Sequence, residues 1–276
     1  MNSTKFNLDL ITSKTNSTVV KLSKLTNKKS RNEEKLFCLD GVKLFWEAYN
    51  FGAKIEYLII NESSVLDEKT SEIIFELKEK SRVICVNDSV FSKLTDESAP
   101  QGIITVCRYL ENHNFIEVSK DILENERVMI FESVRDPGNI GTIIRNAAAF
   151  GVDRLILSSD CADIYSQKVI RATMGAIFKV KIDVVSDVCK SIEFLKNQGR
   201  RVVATTLGNN SLKLGKDPVL SRDVFIIGNE GHGISEKVIN ISNETMFIPM
   251  CKNTESLNAS IAAAILMWEQ HKYNII

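Results

Sequence analysis

The sequence has little that would tie it to a metal, a membrane or a disulfide scaffold. Its 276 residues include only three histidines, His113, His232 and His271. The six cysteines, Cys38, Cys85, Cys107, Cys161, Cys189 and Cys251, are scattered, with no Cys-x-x-Cys pair and no histidine at ligand spacing. That distribution argues against a zinc site and against a disulfide framework, and no metal is expected. Charge of one sign is not in excess either, since 35 basic residues face 35 acidic ones; the total neither demands a nucleic-acid partner nor excludes one. The longest unbroken apolar run, IAAAILMW from Ile261 to Trp268, is too short to cross a bilayer. The opening stretch MNSTKFNLDLITSKTN has no apolar core of signal-peptide length, so the chain reads as a cytoplasmic protein without a membrane partner. The G-x-G-x-x-G dinucleotide fingerprint and the P-loop G-x-x-x-x-G-K-[ST] are also missing, and the second absence weighs against a nucleotide-phosphate enzyme.

What is present is an ordinary globular composition, 44% hydrophobic, in a chain long enough for two packed domains or one large one. Residues 1–60 hold ten Lys or Arg against six Asp or Glu, concentrated in SKTNSTVVKLSKLTNKKSRNEEK. This is a local basic face, readable either as an RNA contact or as a solvated lysine-rich helix. KLFCLDG, KIEYLII, SRVICVN and GIITVCR predict strands, with helices such as GVKLFWEAYNFG and LDEKTSEIIFELKEK between them. A polar interval, YLENHNFIEVSKDILENE, precedes a second series: RVMIFES, DRLILSS, FKVKIDVV, RRVVATT, DVFIIGN and TMFIPM. The alternation predicts an α/β fold with a mainly parallel sheet covered on both faces and a ligand at the carboxyl ends of its strands. The expected boundaries are a first domain over 1–110, a linker over 111–126 and a second domain over 127–276.

The stretch DPGNIGTIIRNAAAFG, Asp136 to Gly151, predicts a helix beginning near Asn139 directly after a strand. Projected at about 100° per residue, Ile140, Ile143, Ile144, Ala147 and Ala148 share one side, while Asn139, Thr142, Arg145 and Asn146 share the other. Such a helix packs on a sheet and turns its amino-terminal amides and Arg145 toward the strand ends, an arrangement suited to a polar or anionic ligand. A surface arginine paired with a carboxylate is the plain alternative. Two further stretches keep it company. FIIGNEGHGIS leaves a strand through Gly228, Gly231 and Gly233 with Glu230 among them, and IPMCKNTESLNASIAAAILMWE leads from a strand into a helix whose first turn carries Ser256, Asn258 and Ser260.

These three stretches, in this order and spacing, resemble the three motifs of the SpoU (TrmH-type) family of RNA ribose 2'-O-methyltransferases in the SPOUT superfamily, over residues 127–272. RATMGAIFKV is similar to the family's intermediate segment. The first domain resembles the L30e-like RNA-binding domain of many members, through SKTN and LDGVKLFWEA. The resemblance implies a trefoil-knotted catalytic domain that binds S-adenosyl-L-methionine in a bent form, and a homodimer with RNA as partner. By matching positions it implies a cofactor pocket lined by Thr205, Thr206, Gly228, Ile248 and Leu257. Arg145 would be the main catalytic residue, supported by Asn139, Glu230, Ser256 and Asn258. A guanidinium is extremely reluctant to lose its proton, which favours an electrostatic role for Arg145; Glu230 could be a base or a brace for the glycine loop.

Ribosomal RNA of the large subunit is the expected substrate. Transfer RNA, or a non-catalytic RNA-binding role in ribosome assembly, is the alternative. Leu257 to Trp268 is apolar almost all round as a helix and must be buried, either on its own sheet or against a second subunit. One departure stands out: Lys252 occupies a position after IPM where many members carry glycine. His232, inside the glycine loop, is assigned no role.

Overall fold

The computed structural model describes residues 2–208, 211–251 and 256–272. The chain forms two compact units, one of residues 1–110 with 165–178, the other of 111–164 with 179–276.

The first unit is built on β1 (Leu10–Ile11), β2 (Leu36–Asp40), β3 (Ile55–Asn61), β4 (Arg82–Val86) and β5 (Ile103–Arg108), in the order β1-β4-β3-β5-β2. β1, β4 and β3 run parallel, and β5 is antiparallel to both β3 and β2. The helix Ser17–Ser23 starts where the Asn16 side chain accepts hydrogen bonds from the Thr18 and Val19 amides. Its Val19 and Leu22 pack with Ile59, Ile84, Val86 and Ile104 of the sheet. The basic segment does not form one face. Arg31 is buried and donates through Nη1 to the carbonyls of Leu25 (2.6 Å) and Thr26 (2.7 Å), where the preceding turn leaves acceptors unsatisfied.

Residues 165–178, expected in the second domain, pack on the first unit instead. Tyr165 is fully buried there, stacked on Tyr109 at 4.0 Å between ring centroids and close to Phe37, with its hydroxyl accepting from the Leu110 amide at 2.8 Å. Burying so large an aromatic surface, with its polar end satisfied, outweighs the chain's continuity with its sequence neighbours.

The second unit holds β6 (His113–Ile116), β7 (Val128–Phe131), β8 (Arg154–Ser158), β9 (Lys181–Val185), β10 (Val202–Thr205), β11 (Leu212–Lys213), β12 (Val224–Ile227) and β13 (Glu244–Phe247), in the order β11-β13-β10-β12-β7-β8-β9-β6. Every neighbouring pair is parallel. VMIF, LIL and VFII are continuous apolar runs because both faces of the sheet are covered. On one face, Val128, Ile130, Ile156, Val202, Val224 and Ile226 pack against Val188, Ile192 and Leu195 of the helix Val188–Asn197 and Val238 of the helix Glu236–Ile241. On the other, the helices Pro137–Ala149 and Ala259–His271 lie against each other, burying Ile140, Ile143, Ile144 and Ala147 with Ala263, Leu266 and Met267.

The interval 111–126, read from sequence as a linker, belongs to this sheet. β6 pairs with β9 from His113 opposite Ile182 to Ile116 opposite Val185. A buried charge cluster fixes the segment that follows: Arg154 donates to Glu126 at 2.8 Å, to Asp183 at 2.7 Å and to the Asp121 carbonyl at 2.5 Å, while Ser119 donates to Asp183. Lys181 completes the charge balance through Glu126 at 2.6 Å. Burial by itself would push the Glu126 carboxyl up, but the hydrogen bonds from Arg154 and Lys181 hold it below the ordinary carboxylate range. The sequence signal for β6 is only four residues amid polar ones, and the partners that hold 111–126 in place lie far along the chain.

No helix among the described residues is long and apolar enough to cross a membrane. No group of three or more His, Cys, Asp or Glu among them could hold a metal ion.

Arg154→Met would leave Glu126 and Asp183 buried and short of their main partner. Stability to chemical denaturation should fall by about 3–5 kcal/mol. Arg135→Met, which removes a solvent-facing pair with Asp160, should cost no more than ~1 kcal/mol in the same assay.

Candidate active site

β7 ends at Phe131, and the helix Pro137–Ala149 follows after a short turn. The helix starts two residues before the expected Asn139: the Asp136 carboxylate accepts from the Asn139 amide at 2.8 Å, and Pro137 occupies the first turn, where a missing N–H leaves nothing unpaired. The amphipathic reading holds along its length. Ile140, Ile143, Ile144 and Ala147 are fully buried and Arg145 is exposed, making no hydrogen bond or ion pair among the described residues.

The second stretch turns back on itself immediately after β12. A Cβ at Gly228 would lie 2.3 Å from the backbone carbonyl carbon and oxygen of Gly233, a contact no side chain can make. Asn229 and Gly233 exchange amide-to-carbonyl hydrogen bonds, both 2.9 Å, and Gly233 takes a left-handed φ of 71°. The brace of this loop is Asn229. Its Oδ1 accepts from the Gly231 and His232 amides (2.8 and 3.1 Å), and its Nδ2 donates to the Ser133 carbonyl at 2.8 Å, fastening the loop to the end of β7. Sequence reasoning passed over Asn229, although an asparagine after a strand-end glycine is a turn signal. Glu132 ties the same two segments from the other side, accepting from the Ser235 amide and hydroxyl at 2.8 and 2.7 Å.

The third stretch supplies Asn258, the cap of the helix Ala259–His271. Its Oδ1 accepts from the Ser260 amide (2.9 Å), the Ser260 hydroxyl (2.6 Å) and the Ile261 amide (3.3 Å). With that oxygen committed, Nδ2 points away and donates to Asn139 Oδ1 at 2.9 Å. Asn139 has then only its own Nδ2 to offer, and this donates to Glu230 Oε1 at 2.7 Å. A directed chain, Asn258 to Asn139 to Glu230, thus crosses all three strand ends. Asn139 is 8% exposed, Glu230 and Asn258 are open to solvent.

Beside this chain lies a cavity of about 410 Å³. Seven of the residues expected from sequence line it: Thr205, Thr206, Gly228, Glu230, Ile248, Ser256 and Leu257. Asn139 and Asn258 stand behind Glu230 through the hydrogen-bond chain, and Arg145 is not among the lining residues. Leu207, Met246 and Ala262, which sequence reasoning did not single out, complete much of the apolar wall. The Thr205 hydroxyl is spent on the Ile226 carbonyl at 2.5 Å, joining β10 to β12. Lys252 lies outside the described residues. The volume and the lining, apolar walls with a few polar groups and a glycine turn whose backbone stands bare, suit a ligand of nucleoside size.

A fully parallel sheet with a cavity built from three strand-end motifs is what the resemblance to SPOUT methyltransferases implies, and comparison with known proteins agrees. Residues 126–268 match the SpoU rRNA Methylase family, and residues 16–105 match the MRM3-like substrate binding domain. The chain is 30% identical to the 23S rRNA (guanosine(2553)-2'-O)-methyltransferase RlmP of Bacillus subtilis, over 94% of this chain and 97% of that one. Among solved structures it is similar to an AdoMet-bound rRNA methyltransferase from Sinorhizobium meliloti (TM-score 0.84, 29% identity, 96% of this chain and 98% of that one). It is also similar to a putative RNA methyltransferase of the TrmH family from Porphyromonas gingivalis (TM-score 0.80, 25% identity, 94% and 98%). The chain belongs to the SpoU rRNA methylase family, and is an RNA methyltransferase that uses S-adenosyl-L-methionine.

Gly228→Ala forces the strand end away from Gly233 and Ile234. Calorimetric titration with S-adenosyl-L-methionine should detect no binding, and the melting temperature should drop, whereas Gly231→Ala, whose nearest contact would be an ordinary 3.4 Å, should keep both.

Proposed function

We propose that the chain transfers the methyl group to a ribose 2'-hydroxyl of large-subunit ribosomal RNA. The observation that carries this reading is the directed chain from Asn258 through Asn139 to Glu230, which gathers the three strand-end motifs beside one cofactor-sized cavity. Likeness to a 23S rRNA methyltransferase over nearly the whole chain supports ribosomal over transfer RNA, and the match to a substrate binding domain supports an RNA held partly outside the catalytic unit.

Bound in the cavity, the cofactor supplies an electrophilic methyl on a sulfonium sulfur. Ile248 and Leu257 give apolar surface for its base, the bare backbone at Gly228 admits close approach, and Thr205 and Thr206 close the side at β10. Around the reacting ribose, Arg145 holds the neighbouring phosphate and offsets the negative charge that develops as the hydroxyl loses its proton. Ser256 offers an exposed hydroxyl at the same cavity. Glu230 serves as the acceptor that fixes Asn139, and the proton leaves through phosphate or water.

The working form is a homodimer in the cytoplasm, without a metal. Its support is the helix Ala259–His271, where Ile261 and Trp268 remain about half exposed and Phe150 flanks Trp268 at 6.0 Å between rings; an apolar face of this kind is suited to a second subunit. A knotted path through this unit is implied by the family resemblance.

The test is transfer of labelled methyl from S-adenosyl-L-methionine to 23S ribosomal RNA and to transfer RNA, both prepared without modifications. Label in a 2'-O-methyl nucleotide of the 23S RNA is expected; label confined to transfer RNA would move the substrate, and cofactor binding without any label would point to a binding protein of the same fold. Arg145→Ala should lower kcat by about 10²–10³ with the cofactor Kd unchanged, and lysine should not restore it because it lacks the planar fork. Glu230→Gln keeps an oxygen for Asn139 and should retain kcat within about threefold, while a loss of about 10² or more would make Glu230 the general base.

A further inference from the structure

We propose that the amino-terminal unit grips RNA through one end of its sheet, the end where β2, β3 and β4 begin and β5 finishes, by contacts to the phosphate backbone. The proposal rests on the RNA methyltransferase reading for the identity of the partner. Strand register fixes which side chains share that end: Leu36 lies opposite Arg108, Ile55 opposite Cys107, and Tyr57 opposite Arg82. Lys35 and Lys54, each one residue ahead of its strand, therefore stand beside Arg82 and Arg108, and all four are exposed. Lys24 joins them from the carboxyl end of the helix Ser17–Ser23. On that helix Lys21 pairs at 2.7 Å with Glu34, two residues ahead of β2, which puts the helix end near the start of that strand.

Two of the acids at this end are already engaged, Glu56 by Arg108 and Glu34 by Lys21, and Glu79, three residues ahead of β4, is outnumbered by the cations around it. Lys24, Lys35, Lys54 and Arg82 have no ion pair among the described residues. Two of these cations lie over rings, Arg82 above Tyr57 at 5.8 Å and Lys35 above Tyr109 at 5.5 Å. Such contacts hold a long side chain at the surface and reduce the ordering cost of binding.

The far end of the same sheet has no such excess of cations. Asp40 closes β2, Glu62 follows β3 and Asp88 follows β4. Asp96 and Glu97 come next to them, because Thr95 donates to Asp40. The same end carries Lys14 after β1, Lys43 in the helix that follows β2, Lys93, which donates to the Lys14 carbonyl at 2.8 Å, and Arg171, paired with Glu97 at 3.0 Å, so its acids are matched by cations. A polyanion is thus drawn to the first end of the unit in preference to the second.

The experiment compares two charge-reversed triples in the full chain. One is Lys24→Glu, Lys54→Glu and Arg82→Glu; the other, with the same net change, is Lys14→Glu, Lys43→Glu and Lys93→Glu. Circular dichroism and cofactor titration would first verify that each is folded. Affinity for unmodified 23S ribosomal RNA fragments is read by filter binding across a salt series, separately from methyl transfer. The first triple should bind at least tenfold more weakly, with a salt slope shallower by about two, as expected for three lost phosphate contacts at ~0.7 each; the second should bind within threefold of wild type. Equal weakening by both triples would reduce the effect to net charge, and an unchanged first triple would place the RNA elsewhere; either result overturns the proposal. Wild type that binds RNA in this pattern yet methylates none would leave the surface standing and remove the proposed activity instead.

Discussion

The Asn258 side chain can point only one way, and the site depends on that restriction. Its oxygen is held by the first turn of the helix it caps, so its amide must reach outward to Asn139, which in turn must present its own amide to Glu230. An asparagine amide has two donors on one end and an acceptor on the other, so each link fixes the sense of the next. Replacing Asn139 by aspartate, nearly identical in shape, would place an acceptor against the Glu230 carboxylate and reverse the attraction. Three segments, with Asn139 lying 91 residues before Glu230 and 119 before Asn258, are positioned by a polarity set at one helix end.

That polarity would be wasted without a scaffold that brings the three segments to the same edge. All eight strands of the second unit are parallel, so every strand leaves the sheet on the same side, and β7, β12 and β13 deliver their following loops there together. Close approach then sharpens the placement. Gly228 and Gly233 touch backbone to backbone, and Asn229 fastens their loop to Ser133 at the end of β7. The cavity is what remains between a loop pulled toward β7 and the cap of the helix Ala259–His271.

Much of this could be read from the sequence, and the boundary between legible and illegible follows the range of the physics. The helix Pro137–Ala149 was legible because its cap, its proline and its apolar stripe all lie within sixteen consecutive residues. The strands of the second unit were legible because burial on both faces demands unbroken apolar runs. β6 was not, since the four residues HNFI are ordered by β9 about seventy residues away, where Asn114 donates to Asp183 at 2.7 Å. The grouping of residues 165–178 with the first unit was not legible for the same reason: Tyr165 finds its aromatic partners at Phe37 and Tyr109. Arg31 illustrates a subtler limit. It counts as a surface cation in the composition of its segment, yet it is buried and donates to the carbonyls of Leu25 and Thr26.

Among the residues singled out from sequence, Arg145 differs from the rest in being uncommitted. Asn139, Glu230 and Asn258 satisfy one another, and Thr205 spends its hydroxyl on the strand next to it, whereas the Arg145 guanidinium makes no bond among the described residues and lies outside the cavity lining. A rigid pocket for a methyl donor has to be complete before the donor arrives, because its walls are apolar and its polar groups would otherwise be lost to water. A group that receives a phosphate has the opposite requirement: any carboxylate already paired with it would have to be displaced at a cost close to the gain. On the proposed reading, the pre-satisfied amide chain and the free arginine are therefore two answers to two different ligands, one that is enclosed and one that arrives from outside.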